Sequence, residues 1–170
     1  MFIVKDNETL FCNVKEYSLH PEYEYATYNT IALVELADDC HDQLIPICWP
    51  DYRYNTSNQL YVLGYTDENM FLEKIMYKVQ YISNDLCDEF YNRIGFRNNL
   101  YTPTYYHCGF AENNKKNCKW DNGMVLASNS TGPWIFIGFG IKGPSCAAPS
   151  RFIDISQYLP WIQSSTDEVF

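Results

Sequence analysis

The sequence predicts a mostly β, disulfide-bonded domain that ends in a helix, and three observations support this fold class. Its 170 residues fit one ordinary domain or two small barrels packed together, and 46% of them are hydrophobic, which is enough to build a core. Fifteen tyrosines and ten phenylalanines favour strands, because flat aromatic side chains pack well on a pleated surface. Seven cysteines without a Cys-x-x-Cys pair indicate disulfides rather than a structural zinc site.

Short apolar runs separated by polar segments predict the strands. Such runs lie at residues 31–36, 59–63 and 134–138. Residues 74–81 alternate between apolar and polar side chains, which is typical of a strand with one buried face. Segments rich in Asn and Asp separate these runs and predict turns.

Two helices are predicted in the second half of the chain. Ser83 is expected to cap a helix over residues 84–93, and Ser156 a second helix over residues 157–163, with a proline tolerated near its first turn. Residues 164–170 are expected to form a mobile tail. The side chains expected to face the core are Cys87, Phe90, Tyr91 and Ile94 in the first helix and Tyr158, Leu159, Trp161 and Ile162 in the second.

Charge and composition exclude some classes of binding partner and indicate the cellular compartment of the protein. A net charge of -9 argues against nucleic acid or an anionic membrane as a partner, and no apolar run is long enough to span a membrane. The cysteines and three N-glycosylation sequons, at Asn7, Asn55 and Asn129, favour a secreted protein. Residues 1–6 lack the apolar region of a signal peptide, so we expect the true start to lie upstream of Met1.

Residues 117–126 read Asn-Cys-Lys-Trp-Asp-Asn-Gly-Met-Val-Leu, and this stretch resembles the nucleophile loop of trypsin-like serine proteases, usually Cys-x-Gly-Asp-Ser-Gly-Gly-Pro-Leu. Cys118, Asp121, Gly123 and Leu126 keep the frame of that loop. Further landmarks resemble the same family and follow its order along the chain. They are residues 17–21, 31–36, 45–50, 61–64, 134–143, 146–147 and 156–162.

The resemblance covers nearly the whole chain and implies an all-β, trypsin-like double β-barrel with a C-terminal helix, truncated at its start. A partial N-terminal barrel and linker would occupy residues 1–50. A complete second barrel with the terminal helix would occupy residues 51–163, followed by the tail at 164–170.

The resemblance also implies the disulfides. Two family bridges are expected, together with an added bridge between strands that should be neighbours. The expected pairs are Cys87 with Cys108, Cys118 with Cys146, and Cys12 with Cys40.

Three further positions complete this comparison of the cysteines. Leu60 and Ser128 stand at the two halves of a bridge that most relatives have, so that bridge is absent. Cys48 is left without a partner, because in relatives its partner lies in a segment ahead of the activation site, which this chain lacks. We therefore expect Cys48 to bond to a missing N-terminal segment.

The catalytic positions implied by the resemblance carry other residues. Asn122 stands at the position of the nucleophilic serine, and its amide is a poor nucleophile because the nitrogen lone pair is delocalised into the carbonyl. Thr30 stands at the position of the aspartate and has no charge to stabilise an imidazolium. The catalytic histidine would lie before residue 1. The three histidines present, His20, His41 and His107, are interpreted as surface or packing residues.

The substrate-binding positions differ as well. The backbone N–H groups of Trp120 and Asn122 would form the oxyanion hole, but Trp120 and Met124 replace glycines of the family loop. Asp121 keeps the position that binds a freshly cleaved N-terminus, although no activation sequence is present. The substrate pocket implied by the resemblance comprises Lys116 at its base, the edge Ile141, Lys142 and Gly143, and Ser150 in place of a glycine.

These positions favour an inactive, secreted serine protease homologue that acts, if at all, as a protein-binding or regulatory module. Its partner would be a secreted protein or a component of a protease cascade, and no cofactor or metal is implied. Two alternatives stay open. One is a serine endopeptidase whose missing half supplies the histidine, and the other is a truncated product without function.

Overall fold

β-strands and two short helices make up the described part of the chain. The computed structural model describes residues 2–5, 8–24, 29–37, 45–50, 59–68, 71–95, 105–112, 119, 121–129, 132–141 and 148–166. Within them the strands are Phe2–Lys5 (β1), Glu8–Phe11 (β2), Val14–Leu19 (β3), Ala32–Leu36 (β4), Leu60–Glu68 (β5), Phe71–Ile82 (β6), Tyr106–Glu112 (β7), Val125–Ser128 (β8), Ile135–Gly140 (β9) and Ser150–Asp154 (β10). The helices are Asn84–Arg93 (α1) and Leu159–Thr166 (α2), and a 3₁₀ turn at Ile155–Tyr158 precedes α2.

Six antiparallel strands close into a barrel in the order β10-β7-β6-β5-β8-β9. This observation confirms the expected fold class, with a complete barrel in the second part of the chain. The side chains that fill the barrel alternate along its strands, as Leu60 and Val62 do on β5. Barrel closure requires a glycine at position 138, because a Cβ there would lie 1.8 Å from the carbonyl oxygen of Ile153 on β10.

The first part of the chain forms two separate two-stranded sheets, β1-β2 and β3-β4. Ile31, directly before β4, and Leu33, on β4, pack into a second apolar cluster. This cluster also includes Ile153 on β10 and Tyr158 in the 3₁₀ turn. Tyr17 on β3 and Tyr23 after it are both exposed. A face of a two-stranded sheet has no opposing layer of its own, which explains the exposure of Tyr17.

A polar link fastens the region before β4 to the C-terminal turn. Asn29 is 4% exposed and has a positive φ of 47°, a conformation that asparagine tolerates better than most residues. Its side-chain nitrogen donates to the carbonyl of Glu22 at 3.0 Å, and the hydroxyl of Tyr158 donates to its side-chain oxygen at 3.0 Å. The ring of His20 packs edge-on against Tyr158 and Trp161, with centroids 5.5 and 4.9 Å away.

The disulfide expected between Cys87 and Cys108 is present and joins α1 to β7. Cys12 is also disulfide-bonded, whereas its expected partner, Cys40, lies outside the described residues. The expected pair of Cys118 and Cys146 lies outside them too.

The structure also describes the other three positions of the cysteine comparison. Leu60 and Ser128 are register partners on β5 and β8, and both side chains are buried. Among these described residues Cys48 is a free, exposed thiol, and its backbone forms a bridge with Ile135 of β9.

The helices follow the prediction with three corrections. Ser83 caps α1, because its hydroxyl accepts from the N–H of Leu86, but Ile94 ends the helix and is exposed rather than buried. The second cap is Asp154, not Ser156: the Asp154 carboxylate accepts from the N–H of Ser156 at 3.0 Å and begins the 3₁₀ turn. α2 continues to Thr166, three residues beyond its predicted end.

We predict that Tyr158→Phe will destabilise the protein by about 1–2 kcal/mol, because it leaves the buried side-chain oxygen of Asn29 without this donor. Chemical denaturation of both proteins measures the difference in the free energy of unfolding. Tyr105→Phe is the matched control, since Tyr105 packs against Tyr158 but is exposed, and it should change that free energy by less than about 0.5 kcal/mol. Equal effects of the two substitutions would contradict the role of this hydrogen bond.

Candidate functional site

The turn at residues 121–124 contains the serine-equivalent position and precedes β8. Asn122 and Gly123 form the tip of the turn, and both are exposed. Gly123 has a φ of +80°, in the left-handed region that favours glycine. The N–H of Gly123 donates to the carbonyl of Gly140 at 2.8 Å, and the N–H of Gly140 donates to the carbonyl of Met124 at 2.7 Å. Backbone atoms therefore anchor this turn to the end of β9.

Met124 fills the space beneath the turn. Its side chain is 3% exposed and lies in the barrel core, where a Cβ on Gly64 would come within 2.8 Å of its Cγ atom. The N–H of Asp121 donates to the sulfur of Met124 at 3.3 Å. The methionine at this glycine position thus supports the loop from inside, while Gly64 leaves room for it.

A groove of about 300 Å³ runs between the β5-β6 hairpin and this turn. Lys74 and Asp121 contribute opposite charges to its wall, and Asn122 contributes a carboxamide. In the part of the chain that the structure describes, the groove has no histidine in its lining. The described lining therefore supplies polar groups for binding but no imidazole to remove a proton from a nucleophile. Its lining residues are Leu63, Gly64, Tyr65, Lys74, Asp121, Asn122, Gly123, Met124 and Val125.

The structure places the other described site positions in packing roles. Thr30 is half-buried between Asn29 and β4, and it does not line the groove. Ile141 is buried in the second apolar cluster, and its N–H donates to the carbonyl of Arg151 at 3.2 Å. Ser150 is buried on β10 opposite Gly109.

Of the three sequon asparagines, only Asn129 is among the described residues. It is half-buried in the turn between β8 and β9, where its carbonyl accepts from the N–H of Gly132 at 3.2 Å. The positions outside the described residues are Lys116, Cys118, Trp120, Lys142, Gly143, Cys146 and the sequon residues Asn7 and Asn55.

The described histidines have structural contacts and lie apart from the groove. His20 packs against the C-terminal helix, as given above. Nε2 of His107 lies 3.4 Å from the carboxylate of Asp154, which also accepts from the hydroxyl of Ser156 at 2.6 Å. Ser156 therefore contacts the carboxylate rather than the imidazole, so these three residues do not form the order of contacts that activates a serine.

A buried cation beneath α1 is a feature that the sequence analysis missed. Arg151 is 6% exposed, and its guanidinium lies 3.9 Å from the ring centroid of Tyr91 and donates to the carboxylate of Asp88 at 3.0 Å. The hydroxyl of Tyr106 donates to the same carboxylate at 2.7 Å. Burial first, and then the hydrogen bond to Asp88, raise the pKa of Tyr106 above its ordinary value, so it stays a donor. The available signal in the sequence was an arginine directly before the apolar pair Phe152 and Ile153.

The described residues contain neither a metal-binding cluster nor a membrane-spanning helix. No group of three or more His, Cys, Asp or Glu side chains in the described residues is arranged to hold a metal ion. Among the same residues, no helix has the length and apolar character needed to cross a membrane.

Comparison with known proteins gives concordant matches. The family model described as Trypsin matches residues 2–162. The chain is similar to "Serine protease filzig" of Drosophila melanogaster, with 29% identity over 168 residues, 91% of this chain and 10% of that protein. It is also similar to "Transmembrane protease serine 11C" of Mus musculus, with 27% identity over 168 residues, 90% of this chain and 38% of that protein. The chain thus spans well under half of the length of either relative.

We predict that Asp154→Asn lowers stability by about 1–2 kcal/mol at neutral pH, since an uncharged side chain binds Ser156 and His107 less strongly. Burial opposes ionisation of Asp154, but hydrogen bonds from His107 and Ser156 outweigh it, so the pKa of Asp154 is lowered from 3.8. A lowered folded-state pKa contributes stability above the unfolded-state pKa. That contribution is lost as the pH falls through the folded-state pKa.

Urea denaturation of wild type and Asp154→Asn as a function of pH measures this contribution. The difference in the free energy of unfolding should be largest near neutral pH and should shrink as the solution is acidified below 3.8. A difference that is constant across this range would contradict the assigned role of the carboxylate.

Proposed function

Because the chain belongs to the trypsin family, we propose that it is a secreted member of the family that does not hydrolyse peptides and that acts by binding another protein. The observation that carries this proposal is Asn122 at the exposed tip of the serine-equivalent turn. A carboxamide cannot replace a serine hydroxyl as the attacking group in peptide hydrolysis. Thr30 at the aspartate position supports the same conclusion, because it carries no charge.

The groove beside the turn supports the binding role. It is open to solvent, it combines apolar walls with Lys74 and Asp121, and Tyr65 in its wall is partly exposed. Tyrosine is enriched at the centre of protein-binding sites, where apolar contacts dominate, and charged side chains are found at their rim. We therefore place the partner at this groove.

The secretory route is supported by the covalent chemistry of the chain. The disulfides at Cys87–Cys108 and at Cys12 are typical of proteins that fold in an oxidising compartment. Asn129 begins a sequon and lies in the turn between β8 and β9, and turns are the usual place of glycosylated asparagines. We expect the sequon at Asn129 to be glycosylated.

The absence of catalysis is tested with a fluorophosphonate probe, which reacts with activated serine hydroxyls. We predict neither labelling nor cleavage of a mixed peptide library by the wild-type chain, because position 122 offers no hydroxyl. Asn122→Ser is the matched variant, and it should also stay unlabelled, since the described groove lining holds no imidazole to activate the new hydroxyl and Thr30 carries no charge. Peptide turnover that disappears in Asn122→Ala would overturn the proposal and favour a serine endopeptidase.

The binding role is tested with a photo-crosslinking amino acid placed at one of two surface positions. We predict that a probe at Asn122, in the groove, captures a defined protein from the fluid into which the chain is secreted. The matched control is a probe at Asp85, which is exposed on α1. Capture should be at least about tenfold greater from position 122, as expected for a site with a few strong contacts. Equal capture from both positions would contradict binding at the groove.

A further inference from the structure

Asn122 is followed by a glycine, and Asn122-Gly123 is the one Asn-Gly pair in the sequence. The side-chain carbonyl carbon of an asparagine lies within reach of the backbone nitrogen of the next residue. A following glycine puts no side chain in the path of that approach. Both residues are exposed at the tip of the turn, and an ideal Cβ on Gly123 would meet no atom within 4 Å. The pair therefore has space to rearrange once the turn opens.

We propose that Asn122 is a site of spontaneous deamidation, and that the hydrogen bond from the Gly123 N–H to the Gly140 carbonyl sets its rate. In the first step the Gly123 nitrogen loses its proton and bonds to the side-chain carbonyl carbon of Asn122. The bond from that carbon to the amide nitrogen breaks, and ammonia leaves, which gives a cyclic imide. Water then adds to either imide carbonyl and opens the ring to aspartate or isoaspartate. One water is consumed, one ammonia is released, and no oxidant or reductant is needed.

The hydrogen-bond pattern of the turn explains why the rate depends on opening. In the closed turn the Gly123 N–H points at the Gly140 carbonyl, 2.8 Å away, and the return bond from Gly140 to Met124 holds the same pair of segments together. An N–H held in this way is protected from losing its proton, and its nitrogen is directed at β9 rather than at the Asn122 side chain. The reaction thus requires a local opening, which at a surface turn costs less than global unfolding.

The products differ from asparagine in ways that matter for this turn. Either product adds a negative charge beside Asp121, in a chain whose net charge is already -9. Isoaspartate also lengthens the backbone by one carbon between residue 122 and Gly123. That extra atom disturbs the alignment of Gly123 with Gly140, so the modified turn should bind β9 less well. The inference does not depend on the proposed function.

The first experiment compares the full chain in native buffer with the same chain in concentrated urea, at physiological temperature and slightly alkaline pH. Peptide mass spectrometry measures a gain of about 1 Da at Asn122, and isoaspartate is identified by fragmentation. We expect Asn122 to deamidate faster than any other asparagine in the native chain, but at least about tenfold more slowly than in urea. Equal deamidation rates in native buffer and in urea would show that the hydrogen bond does not limit the rate. No deamidation of Asn122 in the native chain, or faster deamidation of another asparagine, would show that Asn122 is not the preferred site.

Two variants at Met124 test directly whether the stability of the turn sets the deamidation rate. Met124→Ala removes the side chain that supports the turn and the sulfur that accepts from Asp121, and it should speed native deamidation at least about threefold. Met124→Leu keeps the packing volume and should stay within about twofold of wild type. Asn122→Ser is the negative control, because serine has no side-chain amide and cannot deamidate.

Hydrogen exchange of the Gly123 N–H in the wild-type chain gives a second measurement that needs no variant. Deamidation and exchange should rise together when small amounts of urea are added, because both require the same opening. Exchange that rises without any change in the deamidation rate would contradict the proposal, even if Met124→Ala fails to fold.

Discussion

The close approach of β9 and β10 is the constraint on which most of this structure depends. The two strands come together where Gly138 faces the Ile153 carbonyl, and no other residue type fits there without displacing backbone. The far end of β9 is Gly140, whose carbonyl and N–H hold the turn that carries Asn122. Asp154, the last residue of β10 and the register partner of Gly138, caps the 3₁₀ turn that leads into α2. Barrel closure thus positions both the candidate site and the terminal helix.

Polar groups attach the outer elements to this barrel. Arg151 on β10 reaches Asp88 on α1, and together with the disulfide between Cys87 and Cys108 it fixes that helix against β7. A buried arginine costs desolvation, which the aromatic rings of Tyr91 and Tyr106 and the carboxylate partner offset in part. On the opposite side, Asn29 and Tyr158 perform the equivalent task for the β3-β4 sheet. A neutral hydrogen bond suffices there, because the apolar cluster around Ile31 supplies the packing.

The sequence predicted the strands and the first helix because their signals are local. Alternation along residues 74–81 and the serine before α1 act over a few neighbouring positions. The second cap was misplaced because Asp154 and Ser156 are both good capping residues, and the choice between them depends on His107, which is distant in the chain. The exposure of Tyr17 is likewise decided by the layer that faces β3, and no local pattern reveals it. The family motif in the sequence points to position 122. The packing of Met124 against Gly64 is visible only in the folded structure, because these two residues are distant in the chain.

The turn at residues 121–124 is held by contacts that do not depend on the side chain of residue 122. Backbone hydrogen bonds join Gly123 and Met124 to Gly140, and the N–H of Asp121 donates to the sulfur of Met124; none of these described bonds involves the side chain of residue 122. The side chain at position 122 can therefore differ between members of the family without loss of the described contacts that hold the turn. The groove walls come from β5, β6 and the turn backbone, so they too persist through such a change. The contacts that form the turn and the groove thus leave the side chain at position 122 free to set the chemistry of this surface.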